Sequence, residues 1–403
     1  MKTTQPVNIV SPEFKANPFP FLTQLRNDEP VFRTTLPDKT PAWLVTRYED
    51  VNALLKDERF PKNRRTAMTP EQLRKLPWVP PLFRPLERNM LDLDPPDHTR
   101  LRALVHKAFT PSLIEQMRTR VQSLANELLD RVARHGEMDL VKDYALPLPM
   151  TIITEILGVP VKDRDKFHKW SNSVVSLSSP NPTLRVLPGV WMFIRYLRRF
   201  FKVRRREPRD DLVSALIQAE ESGDKLTEDE LLAMAFLLLV AGHETTVNLI
   251  SSGVLALLEQ SDQLEKLRRD PSLIKPAVEE LLRYTSPVFM TTERYAREDT
   301  TIQGVTIPRG EMTFGVIGSA NRDETVFENP DALEITRDPN KHLSFGQGIH
   351  FCVGAPLARL EAQIAVKTLL ERVPNLRLAD PPESLRWRPS MILRGLERLP
   401  VRF

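Results

Sequence analysis

The chain has a single cysteine in 403 residues, so no disulfide can close within it. Its seven histidines are scattered and do not supply the finger-like His and Cys spacing of a tetrahedral structural zinc site. Glycine is scarce, 14 against 35 prolines, which argues against a flexible glycine-rich linker and for turns stiffened by fixed backbone angles. There is no low-complexity tract and no internal repeat. The longest apolar run, Leu231 to Gly242, is about twelve residues, short of the roughly 20 that span a bilayer as a helix, so no transmembrane segment is expected. Residues Met1 to Val10 carry no apolar core of signal-peptide length, and single-cysteine usage suits a reducing compartment; a cytoplasmic protein is the expectation. Charge of one sign is not in large excess: 57 Lys and Arg face 53 Asp and Glu, and a net +4 does not imply a nucleic-acid partner.

What is present is a large, ordinary globular composition with 41% hydrophobic residues. The pattern predicts one domain over residues 1–403, mainly α with a small β region. Pro41 to Thr46 reads as a strand followed by a helix over Glu49 to Lys56. From Asp97 to His135 apolar residues recur at helical spacing, broken at Thr110-Pro111 into two helices. Further helices are predicted over Pro147 to Gly158, Lys162 to Leu177 and Leu184 to Arg206, with a loop at Ser178 to Pro182. The longest candidate starts at Thr227, where Thr227-Glu228-Asp229-Glu230 has the form of a capping box, and runs to about Gln260. Short strand signals occur near Arg294 to Arg297, Thr300 to Ile307 and Ser390 to Leu393.

The lone cysteine sits in Phe345-Gly346-Gln347-Gly348-Ile349-His350-Phe351-Cys352-Val353-Gly354. An inert buried thiol would explain Cys352 but not the three glycines, which permit tight main-chain turns and the close approach of a flat ligand. The apolar run from Ala355 to Leu370 reads as a buried helix, placing Cys352 near its N-terminus, where amide N–H groups favour a thiolate.

At these residues the chain resembles the cytochrome P450 family: Phe345, Gly346, Gly348, His350, Cys352 and Gly354 match its haem-binding signature. Three further motifs follow the family's order, so the resemblance covers roughly the whole chain. It implies the P450 fold, with haem b (iron protoporphyrin IX) between a long central helix and the cysteine-loop helix, and Cys352 as the iron ligand. A thiolate ligand pushes electron density toward iron and favours O–O cleavage.

The second motif, Ala241-Gly242-His243-Glu244-Thr245-Thr246, lies inside the long helix, where a glycine costs up to about 1 kcal/mol relative to alanine. By resemblance Ala241 and Gly242 face the haem and leave room for dioxygen, Thr245 donates a hydrogen bond there, and Glu244 relays protons from solvent. The third, Glu280-Leu281-Leu282-Arg283, sets a carboxylate and a guanidinium on one helix face. In the family this pair is joined by a later arginine, matched here by Arg337, and is structural. The fourth is His98 with Arg102, together with Arg294 and His350, which the resemblance assigns to the haem propionates; Arg294 is preferred to Arg297 by its place in the pattern. Phe345 is expected to pack near the sulfur.

Position relative to these motifs makes Leu237, Val240, Ala241, Val288, Met290, Met391 and Ile392 the expected lining of a substrate cavity, with Thr291 and Thr292 as polar anchors. An apolar lining implies a lipophilic substrate: a fatty acid, terpenoid, steroid or macrolide-like lactone. No flavin or nicotinamide signature is visible, so electrons are expected from a separate ferredoxin or flavodoxin with an NAD(P)H-dependent reductase, docking where Arg100, Lys107 and Arg359 would form a basic patch. The reading is a monooxygenase that inserts one atom of O2 into that substrate. A peroxygenase of the same fold and a non-catalytic haem-binding protein are the alternatives, and the intact Glu244-Thr245 pair weighs against both. Finally, Arg195, Arg198, Arg199, Lys202 and Arg204 to Arg206 interleave with aromatic residues in a basic cluster that would suit a membrane surface or an anionic ligand, or be merely a solvated helix face.

Overall fold

The computed structural model describes residues 8–74, 76, 83, 86, 88–164, 166–167, 170, 187–221 and 226–403. The chain divides into two compact units: Met1–Lys75, Val121–Leu146 and Thr245–Phe403 form the first, Leu76–Arg120 and Pro147–Glu244 the second. The chain passes between them at four points, none marked by a Gly/Ser-rich stretch, which is why the sequence reads as undivided.

The described strands are β1 (Val31–Thr35), β2 (Pro41–Val45), β3 (Glu137–Asp139), β4 (Arg294–Tyr295), β5 (Thr300–Ile302), β6 (Val305–Ile307), β7 (Met312–Gly315), β8 (Arg377–Leu378) and β9 (Pro400–Arg402). All belong to the first unit. They make a four-stranded sheet in the order β1-β2-β7-β4, a three-stranded sheet β3-β9-β8 and the hairpin β5-β6. β2 pairs antiparallel with β1, Val31 opposite Val45, and parallel with β7, Ala42 opposite Met312. Because strand side chains alternate, β2 serves two cores: Ala42 and Leu44 join Phe14, Leu22, Phe289 and Phe314, while Trp43 and Val45 join Val51, Phe60 and Ile317.

The helix Ala355–Arg372 begins at Gly354 and buries Leu357, Leu360, Ile364, Val366 and Leu369. Residues 121–146 are tied to it by the Tyr144 hydroxyl, which donates to the Ala365 carbonyl at 2.8 Å, and by Gln122, whose amide reaches the Thr368 hydroxyl at 2.8 Å. The helix Ile274–Thr285 stops at Ser286, which takes a left-handed conformation with its N–H donating to the Leu282 carbonyl.

The second unit is helical, with Asp97–Ala108, Pro147–Ile156, Leu187–Arg206 and Leu212–Glu221. Gly158 ends the second of these at φ +78°, and a Cβ there would lie 2.2 Å from the Asp211 carboxylate, so only glycine fits. Arg204 turns inward to that same carboxylate, at 2.6 Å, and to the Gly158 carbonyl.

The long helix runs Glu228–Glu259, 32 residues. Its capping box forms as the sequence predicts: the Thr227 hydroxyl accepts from the Glu230 N–H at 3.2 Å, and Glu230 accepts from the Thr227 N–H at 2.8 Å. By length and composition this helix could cross a membrane, because the apolar pattern resumes after His243-Glu244; yet 67% of its most apolar stretch is buried inside the protein, as in a core helix.

The class is therefore mainly α with small sheets. Strands β1, β3, β7, β8 and β9 carry no strong sequence signal, being short or too varied in pattern. The strand expected over Ser390 to Leu393 reduces to one bridge, Val288 to Leu393. Most of the Lys162 to Leu177 helix and the whole Ser178 to Pro182 loop lie outside the described residues.

Candidate functional site

From Leu231 to Leu257 the long helix has only one exposed residue, Ala241, and its half-buried ones are Phe236, Val240, Gly242, Glu244 and Thr245. Positions 236, 240, 241, 244 and 245 fall on one helix face. A core helix that opens on one face in its middle, through apolar and small residues with one carboxylate and one hydroxyl, suits a flat apolar group better than bulk water. His243 points elsewhere: it is buried, with Nδ1 at 2.8 Å from the Leu239 carbonyl. A Cβ on Gly242 would stand 3.3 Å from the Ile153 side chain of the Pro147–Ile156 helix, a tight contact that also favours a glycine there.

Cys352 is exposed, and so are Ile349 and Phe351 just before it, at 50% and 38% exposure. Its loop is shaped by the main chain: the Gly346 N–H donates to the Leu343 carbonyl at 2.8 Å and the Cys352 N–H to the Phe345 carbonyl at 2.9 Å. Gly346 and Gly348 sit at φ +70° and +69°, and a Cβ on Gly348 would press on the Leu55 carbonyl at 3.1 Å. Gly354 places its missing Cβ 3.9 Å from the Cys352 sulfur, ordinary contact. A thiol among exposed apolar side chains, on a glycine-shaped loop ahead of a helix N-terminus, fits a haem as the open face of the long helix does.

The Phe345 ring carries the Arg359 guanidinium 4.5 Å from its centre. Arg359 is held by Glu279 through a two-bond fork, Nε to Oε1 at 2.7 Å and Nη2 to Oε2 at 2.8 Å. Glu279 is also 3.1 Å from His342 Nε2, while His342 Nδ1 accepts the Ser344 N–H at 3.2 Å, which assigns the ring proton to Nε2. Burial alone would raise the Glu279 carboxyl; hydrogen bonds from Arg359, then His342, outweigh it and bring it down to about 2.

Glu280, Arg283 and Arg337 meet. Fully buried Glu280 accepts from Arg283 Nε at 2.8 Å and Nη2 at 2.7 Å, from Arg337 Nε at 3.2 Å, from the Asn340 amide at 3.0 Å and from the Glu334 N–H at 2.9 Å. Arg283 also donates to the carbonyls of Asn321, Pro330 and Ala332. The Asn321 side chain carries the network toward the cysteine loop: its amide donates to the hydroxyls of Ser286 and Ser344, and its oxygen accepts the Leu343 N–H at 2.7 Å.

Of the candidates for propionate binding, Arg294 is buried on β4, its Nη atoms donating to the carbonyls of Phe60 and Leu55, whereas Arg297 is exposed. His350 is half-buried in the turn that precedes Cys352. His98 is buried in the first turn of Asp97–Ala108, with half-buried Arg102 one turn on.

Among the expected lining residues, Val240 and Ala241 lie on the open face and Leu237 is buried. Val288, Met391 and Ile392 are half-buried and adjoin, because the Phe289 and Met290 N–H groups both donate to the Ile392 carbonyl. Met290 is fully buried, packed in the cluster of Phe14, Leu44 and Phe314. Both threonine anchors are also engaged, Thr291 accepting the Gly315 N–H and Thr292 bonded to Lys62. Of the three residues of the expected docking patch, Arg100 pairs with Glu230 and Asp97, and Arg359 with Glu279, while Lys107 is exposed.

Sequence reading missed Asn321, Glu279 and His342, whose partners lie 22 to 80 residues away. It also missed Lys15, a buried ammonium that donates to the Met391 carbonyl at 3.3 Å and lies over the Phe289 ring. Only the short distance from His342 and Ser344 to Cys352 gave a sequence hint.

Comparison with known proteins gives the family. The cytochrome P450 family model matches residues 3–393. The polyketide biosynthesis cytochrome P450 PksS of Bacillus subtilis is 49% identical over 392 residues, 96% of each chain, and its solved structure superposes with a TM-score of 0.91, covering 98% of this chain and 99% of that one. The vitamin D(3) 25-hydroxylase of Pseudonocardia autotrophica is 44% identical over 99% of this chain and 96% of its own. The myxobacterial cytochrome P450 CYP267B1, solved with myristic acid, is 41% identical at a TM-score of 0.91, covering 98% of both chains. The chain belongs to the cytochrome P450 family and is a P450 monooxygenase.

Proposed function

We propose that the protein oxidises a lipophilic small molecule of the fatty-acid, terpenoid, steroid or macrolide-like class at a haem b held through Cys352, with 1–403 acting as one catalytic domain in the cytoplasm. The observation that carries this is the open face in the middle of an otherwise buried helix: apolar at Val240 and Ala241, and polar only at Glu244 and Thr245. When bound, the haem supplies dioxygen activation and the oxidising power to place one oxygen atom on carbon. Cys352, as thiolate, is the metal ligand, favoured by the amide N–H groups at the start of Ala355–Arg372. His98, Arg102, Arg294 and His350 hold the propionates as cations or N–H donors. Glu244, half-buried, takes protons from solvent, and the Thr245 hydroxyl next to it passes them inward, while the apolar neighbours keep bulk water out. Val288, Met391 and Ile392, with Val240 and Ala241, present substrate with apolar surface. That PksS serves polyketide biosynthesis, that a relative hydroxylates vitamin D(3) and that another binds myristic acid support the substrate class. Electrons come from a separate ferredoxin or flavodoxin and its reductase.

The reduced protein under carbon monoxide is expected to show the strongly red-shifted Soret band of thiolate ligation, lost in Cys352→His. With ferredoxin, reductase and a fatty-acid, steroid and macrolide panel, Thr245→Ala and Glu244→Gln are expected to divert reducing equivalents from product to peroxide. A Soret band at the histidine-ligated position, or no bound haem, overturns the reading.

A further inference from the structure

The seven cations between Arg195 and Arg206 do not act as one group. Arg204 is buried against Asp211, and Arg198 is spent on Glu228 and Asp229. Arg195, Arg199, Lys202, Arg205 and Arg206 remain exposed along the outer face of Leu187–Arg206. Among the described residues Arg195, Arg199, Lys202 and Arg206 have no carboxylate partner. From Arg195 to Arg206 the cations extend over about 16 Å at the helical rise per residue. Among the described residues, Asp163 accepts from the Tyr196 hydroxyl, and Glu207 and Asp210 are exposed just beyond the helix end.

Large apolar side chains are exposed in the same place. Outside the cysteine loop, the described ones are Trp191, Met192 and Val203 on this helix, and Val161 in the turn whose Asp163 binds Tyr196. Trp191 is paired with a cation, the Arg195 guanidinium standing over its ring at 5.2 Å from the centre. The inner face of the helix is a conventional core stripe of Val190, Phe193, Ile194, Leu197, Phe200 and Phe201. So the outer face is not a misplaced core surface; it presents cations with apolar tips set among them.

We propose that this helix docks the protein on the surface of an anionic lipid bilayer. Arginine and lysine are drawn to acidic headgroups, and a tryptophan beside them sits at headgroup level, its ring half in the apolar boundary. Single apolar tips give shallow, reversible attachment rather than insertion. Such a surface is also where lipophilic molecules concentrate. The inference concerns binding alone and stands apart from the haem reading.

The test is flotation of the full-length holoprotein with vesicles of phosphatidylglycerol and phosphatidylcholine, against vesicles of phosphatidylcholine alone. Binding to the anionic vesicles at low ionic strength is expected, with at least a tenfold loss at 0.5 M salt, where charge attraction is screened within a few ångströms. The charge reversal R195E/R199E/K202E is expected to abolish it, and the milder R195Q/R199Q/K202Q to weaken it about tenfold; both must first match the wild-type circular dichroism. Trp191→Ala is expected to weaken binding several-fold. No binding to anionic vesicles at low salt, equal binding by the reversed variant, or binding only to an acidic carrier protein added in place of vesicles overturns the proposal.

Discussion

Replacing Glu280 by glutamine tests whether the Glu280 cluster holds the cysteine loop. The change keeps volume and shape but removes the only negative charge that, among the described residues, pairs with Arg283, whose side chain is fully buried like that of Glu280. It also turns an N–H pair toward donors, because every group around the carboxylate, on Arg283, Arg337, Asn340 and the Glu334 main chain, points a hydrogen at it. Breaking one side of a buried pair costs about 3–5 kcal/mol. With unfolding entropy near 2.1 cal/mol/K per residue, a chain of 403 residues changes by about 0.85 kcal/mol per degree, so the expected fall in Tm is about 4–6 °C. Removing Arg283 together with Glu280 should not repair the damage, since Arg283 also satisfies the carbonyls of Asn321, Pro330 and Ala332. Because Asn321 joins this cluster to Leu343 and Ser344, the loop should loosen as well: on mild heating the variant should lose the red-shifted Soret band of its reduced carbon monoxide complex before it unfolds. Differential scanning calorimetry and that band are the assays. A Tm within 1 °C of wild type with an unchanged spectrum would refute the argument.

Lys15 is pushed down to about 7 by burial and then by Arg394, so between about pH 7 and its unfolded value of 10.5 the unfolded chain binds more protons than the native one. Stability from this residue therefore rises with pH through that window, and in urea titrations Lys15→Met should lose that slope; equal slopes in both proteins would count against it. Gly242→Ala gains helix propensity but meets Ile153 at 3.3 Å, so it should be neutral or destabilising alone and stabilising by up to about 1 kcal/mol when Ile153→Val makes room, as a double-mutant cycle would show. Arg359→Gln should hasten loss of the thiolate Soret band on warming and leave the salt dependence of reduction by ferredoxin unchanged, since its charge is already committed to Glu279; an altered salt dependence would return Arg359 to the docking surface.

How much could be read from the sequence depended on how far apart the interacting residues lie. The capping box at Thr227 and the break at Thr110-Pro111 are written in three or four neighbouring residues, and both appear where expected. β1 shows why other elements were missed: its half-polar run, Val-Phe-Arg-Thr-Thr, is a strand because β2 pairs with it, and β2 in turn needs β7 nearly 270 residues away. Short strands with such distant partners have no local signature. Met290 shows a related limit. A methionine at a motif-adjacent position looks the same whether it faces a cavity or the Phe14 core, and only the fold decides.

The cysteine loop shows what a motif conveys and what it omits. Gly346 and Gly348 are dictated by positive φ, and Cys352 by its chemistry, so these residues are legible one at a time. Arginine at 359 is not, because its sequence identity fits equally a docking charge and an internal brace. The geometry shows the brace: the guanidinium is gripped by both oxygens of Glu279 and laid on the Phe345 ring. Phe345 in turn gives its carbonyl to the Cys352 N–H, so a charge pair anchored in the Ile274–Thr285 helix bears on the cysteine through one ring and one hydrogen bond. The outward cations of Leu187–Arg206 are the reverse case. There the sequence shows a cluster of seven, and burial of Arg204 with the pairing of Arg198 leaves a smaller exposed set, of which Arg195, Arg199, Lys202 and Arg206 have no carboxylate partner among the described residues.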